Sequence, residues 1–148
     1  MRLFLDANIL VSVINKEYPL FTVTSRIISL ADKSRFTLFT SPVCLAIAFY
    51  FAEKKYKSVS AKKRIQILCD HIDIASANKS TVLQSLNNPA VNDFEDGLEY
   101  YSAIESKCDC IITEDVSDFY FSKIEVLSSE NFFEKYFLNA SDKQRKNN

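Results

Sequence analysis

The stretch RLFLDANIL (residues 2–10) places an aspartate directly after a short apolar run. The length and aromatic content of Arg2–Leu5 predict a buried strand, and residues 8–15 predict a short helix after it. A charge at the end of a fully apolar strand is costly to bury unless it is paired or bound to a metal ion. Asp6 is therefore the first candidate functional residue.

Strand and helix patterns alternate along the rest of the chain. Further strands are predicted over residues 36–40, 72–75, 110–113 and 124–127, with helical patterns between them. Two of these helices are predicted over residues 43–55 and 61–69. Ser41 is the N-cap candidate of the first, and its apolar first half is expected to be buried on all sides. Such alternation favours an α/β domain of three layers (α/β/α), with a mostly parallel central sheet of about four to five strands and helices on both faces. We expect one domain over residues 1–138 and a polar, disordered tail over residues 139–148.

The composition excludes several classes of site. The 148 residues include one glycine, which excludes the P-loop and the G-x-G-x-x-G fingerprint, and one histidine, which excludes multi-histidine zinc sites. The four cysteines form no C-x-x-C pair, as is typical of reduced thiols in the cytoplasm. The longest apolar run, residues 42–52, is far shorter than the roughly 20 residues that span a bilayer. We therefore expect a soluble cytoplasmic protein with no membrane partner.

Several carboxylates fall where ligands bind in parallel sheets, beyond the carboxyl ends of the strands. Asp6 and Asp115 follow two predicted strands, and Asp93 and Asp96 share a face of a helix predicted from Asn92 to about residue 107. For Asp93, helix capping and the helix dipole are the simpler role. Three carboxylates in one cleft would repel unless a hard cation such as Mg²⁺ lies between them, and such a site suits phosphodiester hydrolysis.

Three stretches resemble the signature motifs of PIN-domain proteins: LDANIL (5–10), DFEDGLEYYSA (93–103) and DCIITEDVSDF (109–119). Within that family the chain is most similar to the VapC-like toxins of bacterial toxin–antitoxin pairs, from residue 2 to about residue 138. The resemblance implies a metal-dependent endoribonuclease that uses Mg²⁺ or Mn²⁺, with RNA as substrate. It also implies an antitoxin protein as partner and a homodimer, for which the region of Tyr18, Leu20 and Phe21 offers an apolar surface.

The resemblance also implies a set of site residues by position. The catalytic and metal-holding acids would be Asp6, Asp96 and Asp115. The supporting residues would be Asn8, Asp93, Thr113 and Asp118.

One position departs from the family pattern. The family commonly has a second acid in the helix after the second strand, near Ile47, but this chain has no acid between Ser41 and Ala52. Glu53 is six residues after Ile47, rotated by roughly two-thirds of a helical turn, so it does not replace that acid. An alternative function is thus a catalytically degenerate PIN-like domain that acts as an RNA- or protein-binding module. A phospho-acceptor domain like a response regulator is a third hypothesis, but its paired acids and lysine are not clear here.

A basic segment over residues 54–64 contains six cations in eleven residues. They are the RNA-binding candidates Lys54, Lys55, Lys57, Lys62, Lys63 and Arg64. A segment of this kind is either a surface that follows phosphates or the solvated exterior of two helices. The pattern alone leaves both interpretations open, and the family resemblance favours RNA.

Overall fold

A parallel β-sheet forms the centre of the computed structural model, which describes residues 1–138. Its strands are β1 (Arg2–Leu5), β2 (Thr37–Thr40), β3 (Asp73–Ile74), β4 (Cys110–Ile112) and β5 (Glu125–Leu127). They lie in the order β3-β2-β1-β4-β5, and every neighbouring pair is parallel. The predicted parallel sheet is confirmed, while the predicted tail (139–148) lies outside the described residues.

Helices connect and cover these strands. They are α1 (Ala7–Asn15), α2 (Phe21–Ile28), α3 (Pro42–Cys69), α4 (Lys79–Asn87), α5 (Phe94–Glu105) and α6 (Ser129–Phe133). The connections from β1 to β3 and those from β3 to β5 run in opposite directions across the sheet. Because such crossovers are right-handed, the two sets of helices cover opposite faces, as predicted.

The strand order places a crevice beside β1. The chain leaves β1 towards β2 on one side, and β4 lies on the other side, so the direction of winding reverses between β1 and β4. Ligands in doubly wound sheets bind at such a switch point, outside the carboxyl ends of the strands. The order also differs from the 2-1-3-4-5 order of response-regulator folds, which argues against the phospho-acceptor hypothesis.

The third helix begins as its sequence predicts and then differs from expectation. Ser41 caps it by accepting a hydrogen bond from the backbone N–H of Cys44 at 3.2 Å. The two helices predicted over residues 43–55 and 61–69 are both present within α3, which is broken between them at Lys57, where φ is 64° and ψ 165°. The expectation that its apolar first half is buried on all sides was wrong, because Tyr50 and Phe51 are about half exposed. The sheet and α1 cover only part of this helix.

The fifth helix begins at Phe94 and not at Asn92, the predicted start. Asp93, and not Asn92, is its N-cap, and its carboxylate accepts a hydrogen bond from the backbone N–H of Glu95 at 2.8 Å. Gly97 lies inside this helix, as predicted, and its Cα is so close to the preceding segment that a Cβ would lie 2.7 Å from Val91 Cγ1. The absence of a side chain lets α5 approach α4 beside the candidate acids.

No helix among residues 1–138 combines the length and the apolar character that a membrane span requires.

Candidate active site

Asp6 is held at the end of β1 by hydrogen bonds from two neighbours. Its Oδ2 atom accepts from Thr113 Oγ1 at 2.5 Å and from Asn8 Nδ2 at 2.9 Å. The side chain is only 8% exposed, and burial raises the pKa of its carboxyl group, although hydrogen bonds from Glu99 and Thr113 partly oppose that rise. Asp6 thus has a fixed orientation at the switch point of the sheet.

Asn8 and Thr113 connect Asp6 to the end of β4. The Asn8 amide also donates to Thr113 Oγ1 at 3.0 Å and to Asp115 Oδ2 at 3.1 Å. The Thr113 hydroxyl in turn accepts from the backbone N–H of Asp115 at 3.0 Å. Two carboxylates that are far apart in sequence therefore lie on either side of one amide group. This brings together four of the residues that the sequence singled out.

Asp96 reaches the same cleft from α5. It is half-buried, and burial, together with repulsion from Asp93 and Asp118, raises its pKa to about 7. Asp6 and Glu95 add to this repulsion. Such a shift is typical of carboxylates that are gathered at a functional site without a compensating cation.

The cleft itself has a volume of about 490 Å³ and is strongly acidic. Its acidic lining residues are Asp6, Glu17, Asp93, Glu95, Asp96, Asp115 and Asp118. Its apolar side includes Val11, Leu20, Ile47 and Phe51, and none of its lining residues is a lysine or arginine. All the predicted acids are thus in one cleft, and Ile47 faces it at the position where the family commonly has an acid. Glu53 is exposed and is not part of this lining.

A buried carboxyl group behind Asp6 was missed by the sequence analysis. Glu99 is 1% exposed, and one of its carboxyl oxygens lies within 4.8 Å of an oxygen of Asp6 and of Cys44 Sγ. Burial and the adjacent Asp6 raise its pKa well above the usual value for a glutamate. The available signal was its position three residues after Asp96, which places both acids on one side of α5.

The basic segment is divided by the break in α3. Lys54 lies over the ring of Tyr50 at 4.0 Å, one turn after the cleft residue Phe51. Lys55 donates to the backbone carbonyl of Asn15. Arg64 is partly buried against Tyr56, at 3.7 Å from its ring, and is less available to a ligand than predicted. Lys57, Lys62 and Lys63 are exposed.

The donor atoms of the cleft fit a divalent metal ion. They are carboxylate oxygens, which are the ligands that Mg²⁺ and Mn²⁺ prefer. In residues 1–138, no lysine or arginine forms an ion pair with any carboxylate of the cleft, since the ion pair found there joins Lys135 and Glu125. A divalent ion in the cleft would neutralise the charge of these carboxylates.

Comparisons with known proteins identify the family of the chain. The PIN domain family matches residues 2–117 of the chain. The chain is 26% identical over 138 residues to Ribonuclease VapC1 of Aquifex aeolicus, and the match covers 91% of this chain and 95% of that relative.

Solved structures share the fold at low sequence identity. A structure of VapBC2 from Rickettsia felis, bound to a DNA fragment from their promoter, has a chain that is 18% identical with a TM-score of 0.67, and the match covers 86% of this chain and 98% of that one. VapBC-1 from nontypeable Haemophilus influenzae gives 16% identity and a TM-score of 0.64, and the match covers 88% of this chain and 99% of that one. VapC20 from Mycobacterium tuberculosis, a Sarcin-Ricin loop cleaving toxin, is 13% identical with a TM-score of 0.62. That match covers 82% of this chain and 98% of the VapC20 chain.

Proposed function

The chain belongs to the PIN-domain family, and we propose that it is a metal-dependent endoribonuclease, the toxin of a toxin–antitoxin pair. The observation that carries the proposal is the convergence of Asp6, Asp96 and Asp115 in one cleft that no lysine or arginine lines. The ribonuclease name of the relative from Aquifex aeolicus supports RNA as the substrate. We assign the activity to a single domain over residues 1–138.

In the mechanism that we propose, three acids from three elements hold the ion. Asp6 follows β1, Asp115 follows β4 and Asp96 lies in the first turn of α5. A bound Mg²⁺ or Mn²⁺ supplies an activated water and neutralises the charge that develops on the phosphate. Hydrolysis of the RNA phosphodiester bond in this cleft then needs no histidine.

The supporting residues keep the acids in position. Asn8 donates hydrogen bonds to both Asp6 and Asp115, so it sets the separation of the two carboxylates. Thr113 fixes the orientation of Asp6 through its hydroxyl group. Asp93 and Asp118 add negative charge at the mouth of the cleft. These two exposed acids would attract a cation and hydrogen-bond its waters.

The RNA would approach the cleft along α3. The exposed lysines of this helix form a positive surface, and Lys54 is the one nearest to a cleft residue in sequence. Phosphates bound there would lead the strand towards the acids. Lys55, Lys57, Lys62, Lys63 and Arg64 complete the proposed RNA-binding surface.

We also propose that the protein acts in the cytoplasm with two protein partners. The VapBC structures are named for a pair of proteins, which supports a cognate antitoxin as the first partner. The second is another copy of the chain, because Tyr18 is 72% exposed and packs its ring against Phe21 at the surface. Sedimentation at micromolar concentration tests the homodimer, and a monomeric species there would contradict it.

RNA cleavage by the purified protein tests the proposed activity. We expect cleavage with Mg²⁺ or Mn²⁺ and none with a chelator, and we expect Asp6→Asn and Asp115→Asn to reduce the rate by at least about 100-fold because they remove metal ligands. Glu130→Gln, on the exposed side of α6, is the matched control and should cleave like the wild type.

Two results would overturn the proposal. One is equal cleavage by the wild type and Asp6→Asn, and the other is no cleavage with any divalent ion. RNA binding without cleavage, and without carboxylate-dependent metal binding, would instead support a degenerate binding module, an alternative that Ile47 in the cleft lining makes worth testing.

A further inference from the structure

Three acids at intervals of three residues lie along one side of α5. Asp93 caps the helix and is exposed, Asp96 is half-buried in the cleft wall, and Glu99 is 1% exposed. Residues three apart in a helix are neighbours on its surface. The row of carboxyl groups therefore runs from the mouth of the cleft into the interior beside Asp6.

Glu99 has polar neighbours but no conventional partner for its charge. Its carboxyl group lies against those of Asp6 and the thiol of Cys44, with ligand atoms within 4.8 Å of one another. Its Oε2 atom is buried and has no hydrogen-bond partner in the described part of the chain. A buried carboxyl oxygen without a donor is destabilising unless something else binds it. The Asp6 carboxyl group can share a hydrogen bond with Glu99 only while one of the two is protonated, so two charged carboxylates at this distance need a cation.

The facing helix lacks the group that would complete the cleft. Helix α3 presents the aliphatic side chain of Ile47 to the cleft and the thiol of Cys44 to Glu99. The sulfur of Cys44 is fully buried and is a soft donor. A neutral thiol is a poor ligand for Mg²⁺, which prefers charged oxygens.

We propose that Glu99 is a metal ligand, the fourth carboxylate of the site, and that it takes from α5 the place that an acid on α3 would otherwise fill. This inference rests on the proposed metal-dependent function. It assigns an oxygen of Glu99 to a cation that Asp6 also holds, since the ligand atoms of these two residues lie within 4.8 Å of each other. Such a cation would provide the missing partner of Oε2 and would neutralise the charges of Glu99 and Asp6.

Metal affinity, and not activity, tests the assignment. Mn²⁺ binding is measured by calorimetry on the full chain for the wild type, Glu99→Gln and the control Glu130→Gln. Glu99→Gln keeps the size of the side chain and removes its charge, so we expect its Mn²⁺ affinity to fall by at least about 10-fold. The control should match the wild type, and thermal unfolding without metal shows that Glu99→Gln is folded.

A rescue variant distinguishes a ligand from a residue that only supports the fold. In the Glu99→Gln background, Ile47→Glu returns a carboxylate to the cleft from α3. We expect it to recover most of the lost Mn²⁺ affinity, whereas a packing defect at position 99 would not be repaired from position 47. A double variant that binds no better than Glu99→Gln would contradict the exchange of places between the two helices.

The outcomes separate this inference from the proposed function. If the wild type binds Mn²⁺ and Glu99→Gln binds it equally well, the assignment of Glu99 is wrong and the proposed function stands. If the wild type binds no Mn²⁺, both are wrong. Should Glu99→Gln fail to fold, a wild-type crystal soaked in Mn²⁺ decides. A Glu99 oxygen at about 2–2.5 Å from the anomalous peak supports the assignment, and a longer distance overturns it.

Discussion

At the scale of single residues, Thr113 is the buried connection between the acids of β1 and β4. Its hydroxyl group donates to Asp6 and accepts from both the Asn8 amide and the Asp115 backbone. The side chain is fully buried, so water does not compete for its hydroxyl group. The hydroxyl therefore links stability to the geometry of the cleft.

Thr113→Val should lower both the stability of the fold and the metal affinity of the cleft. The valine has nearly the same shape but leaves three polar partners without the hydroxyl, which should lower the free energy of unfolding by about 1–3 kcal/mol. Metal affinity should fall by roughly 10-fold, because Asp6 is no longer oriented. Thr113→Ser, which keeps the hydroxyl, is the control and should retain the affinity. Urea unfolding and Mn²⁺ calorimetry measure the two effects, and a valine variant with wild-type affinity would contradict this role.

At the scale of elements, the approach of α5 to the preceding helix depends on its one glycine. A Cβ on Gly97 would lie 2.7 Å from Val91 Cγ1 and 3.0 Å from Ser85 Cβ on α4. Alanine favours a helix over glycine by about 1 kcal/mol. Close packing opposes that gain, and overpacking commonly costs about 1–3 kcal/mol.

We expect the packing effect to be the larger one. Gly97→Ala should lower the free energy of unfolding by about 1 kcal/mol, since the short side chain of Val91 and the Cβ of Ser85 have little freedom to move away. The same change in a Val91→Ala background should be neutral or stabilising, because the closest contact is removed. Chemical denaturation of the wild type, the two single variants and the double variant completes a double-mutant cycle. A Gly97→Ala variant that is more stable than the wild type would show that helix propensity prevails.

The break at Lys57 divides the lysines of α3 into two groups. Lys54 belongs to the half that lines the cleft, while Lys62 and Lys63 lie beyond the break. In a chelating buffer, Lys54→Gln should weaken RNA binding and reduce the slope of affinity against salt by about 0.7–0.9, the value of one phosphate contact. Fluorescence anisotropy with labelled RNA measures both. If the paired change Lys62→Gln/Lys63→Gln has the larger effect, the path along the first half of α3 is wrong.

At the scale of the whole molecule, the acidic cleft links stability to pH and to metal ions. Burial raises the pKa of Asp96 to about 7 and also raises that of Asp6 and Glu99. A carboxyl group with a raised pKa in the folded state binds more protons there than in the unfolded chain. Its stabilising contribution is therefore full below about pH 4 and is lost as the pH rises through about 7.

Metal-free protein should accordingly lose stability between pH 5 and pH 8. For the partly exposed Asp96, about 1–2 kcal/mol is expected after solvent screening. Mn²⁺ should restore stability at pH 8, since it binds the folded state. Asp96→Asn should flatten the pH dependence and weaken the response to Mn²⁺. Thermal unfolding at both pH values measures this, and wild-type protein without metal that is more stable at pH 8 than at pH 5 would contradict the prediction.

Much of the architecture follows from local patterns. The strands at Arg2–Leu5 and Thr37–Thr40 and the cap at Ser41 are confirmed, since apolar runs and capping residues act over a few neighbours. The exposure of α3 was not predictable, because the sequence of an apolar helix does not indicate how much of its surface the sheet and α1 cover. The break at Lys57 falls between the two predicted helices, although no proline or glycine marks it.

The sequence by itself determined the order of strands and helices and the presence of acids at strand ends, because both depend on residues that are adjacent along the chain. Only the tertiary structure decided which acids meet. The reversal of winding beside β1 brings Asp115 to Asp6 through Asn8, over more than 100 residues. It also buries Glu99 against Asp6 while α3 presents Ile47 to the cleft. Contacts between distant segments depend on the packing of whole elements, and no local pattern contains that information.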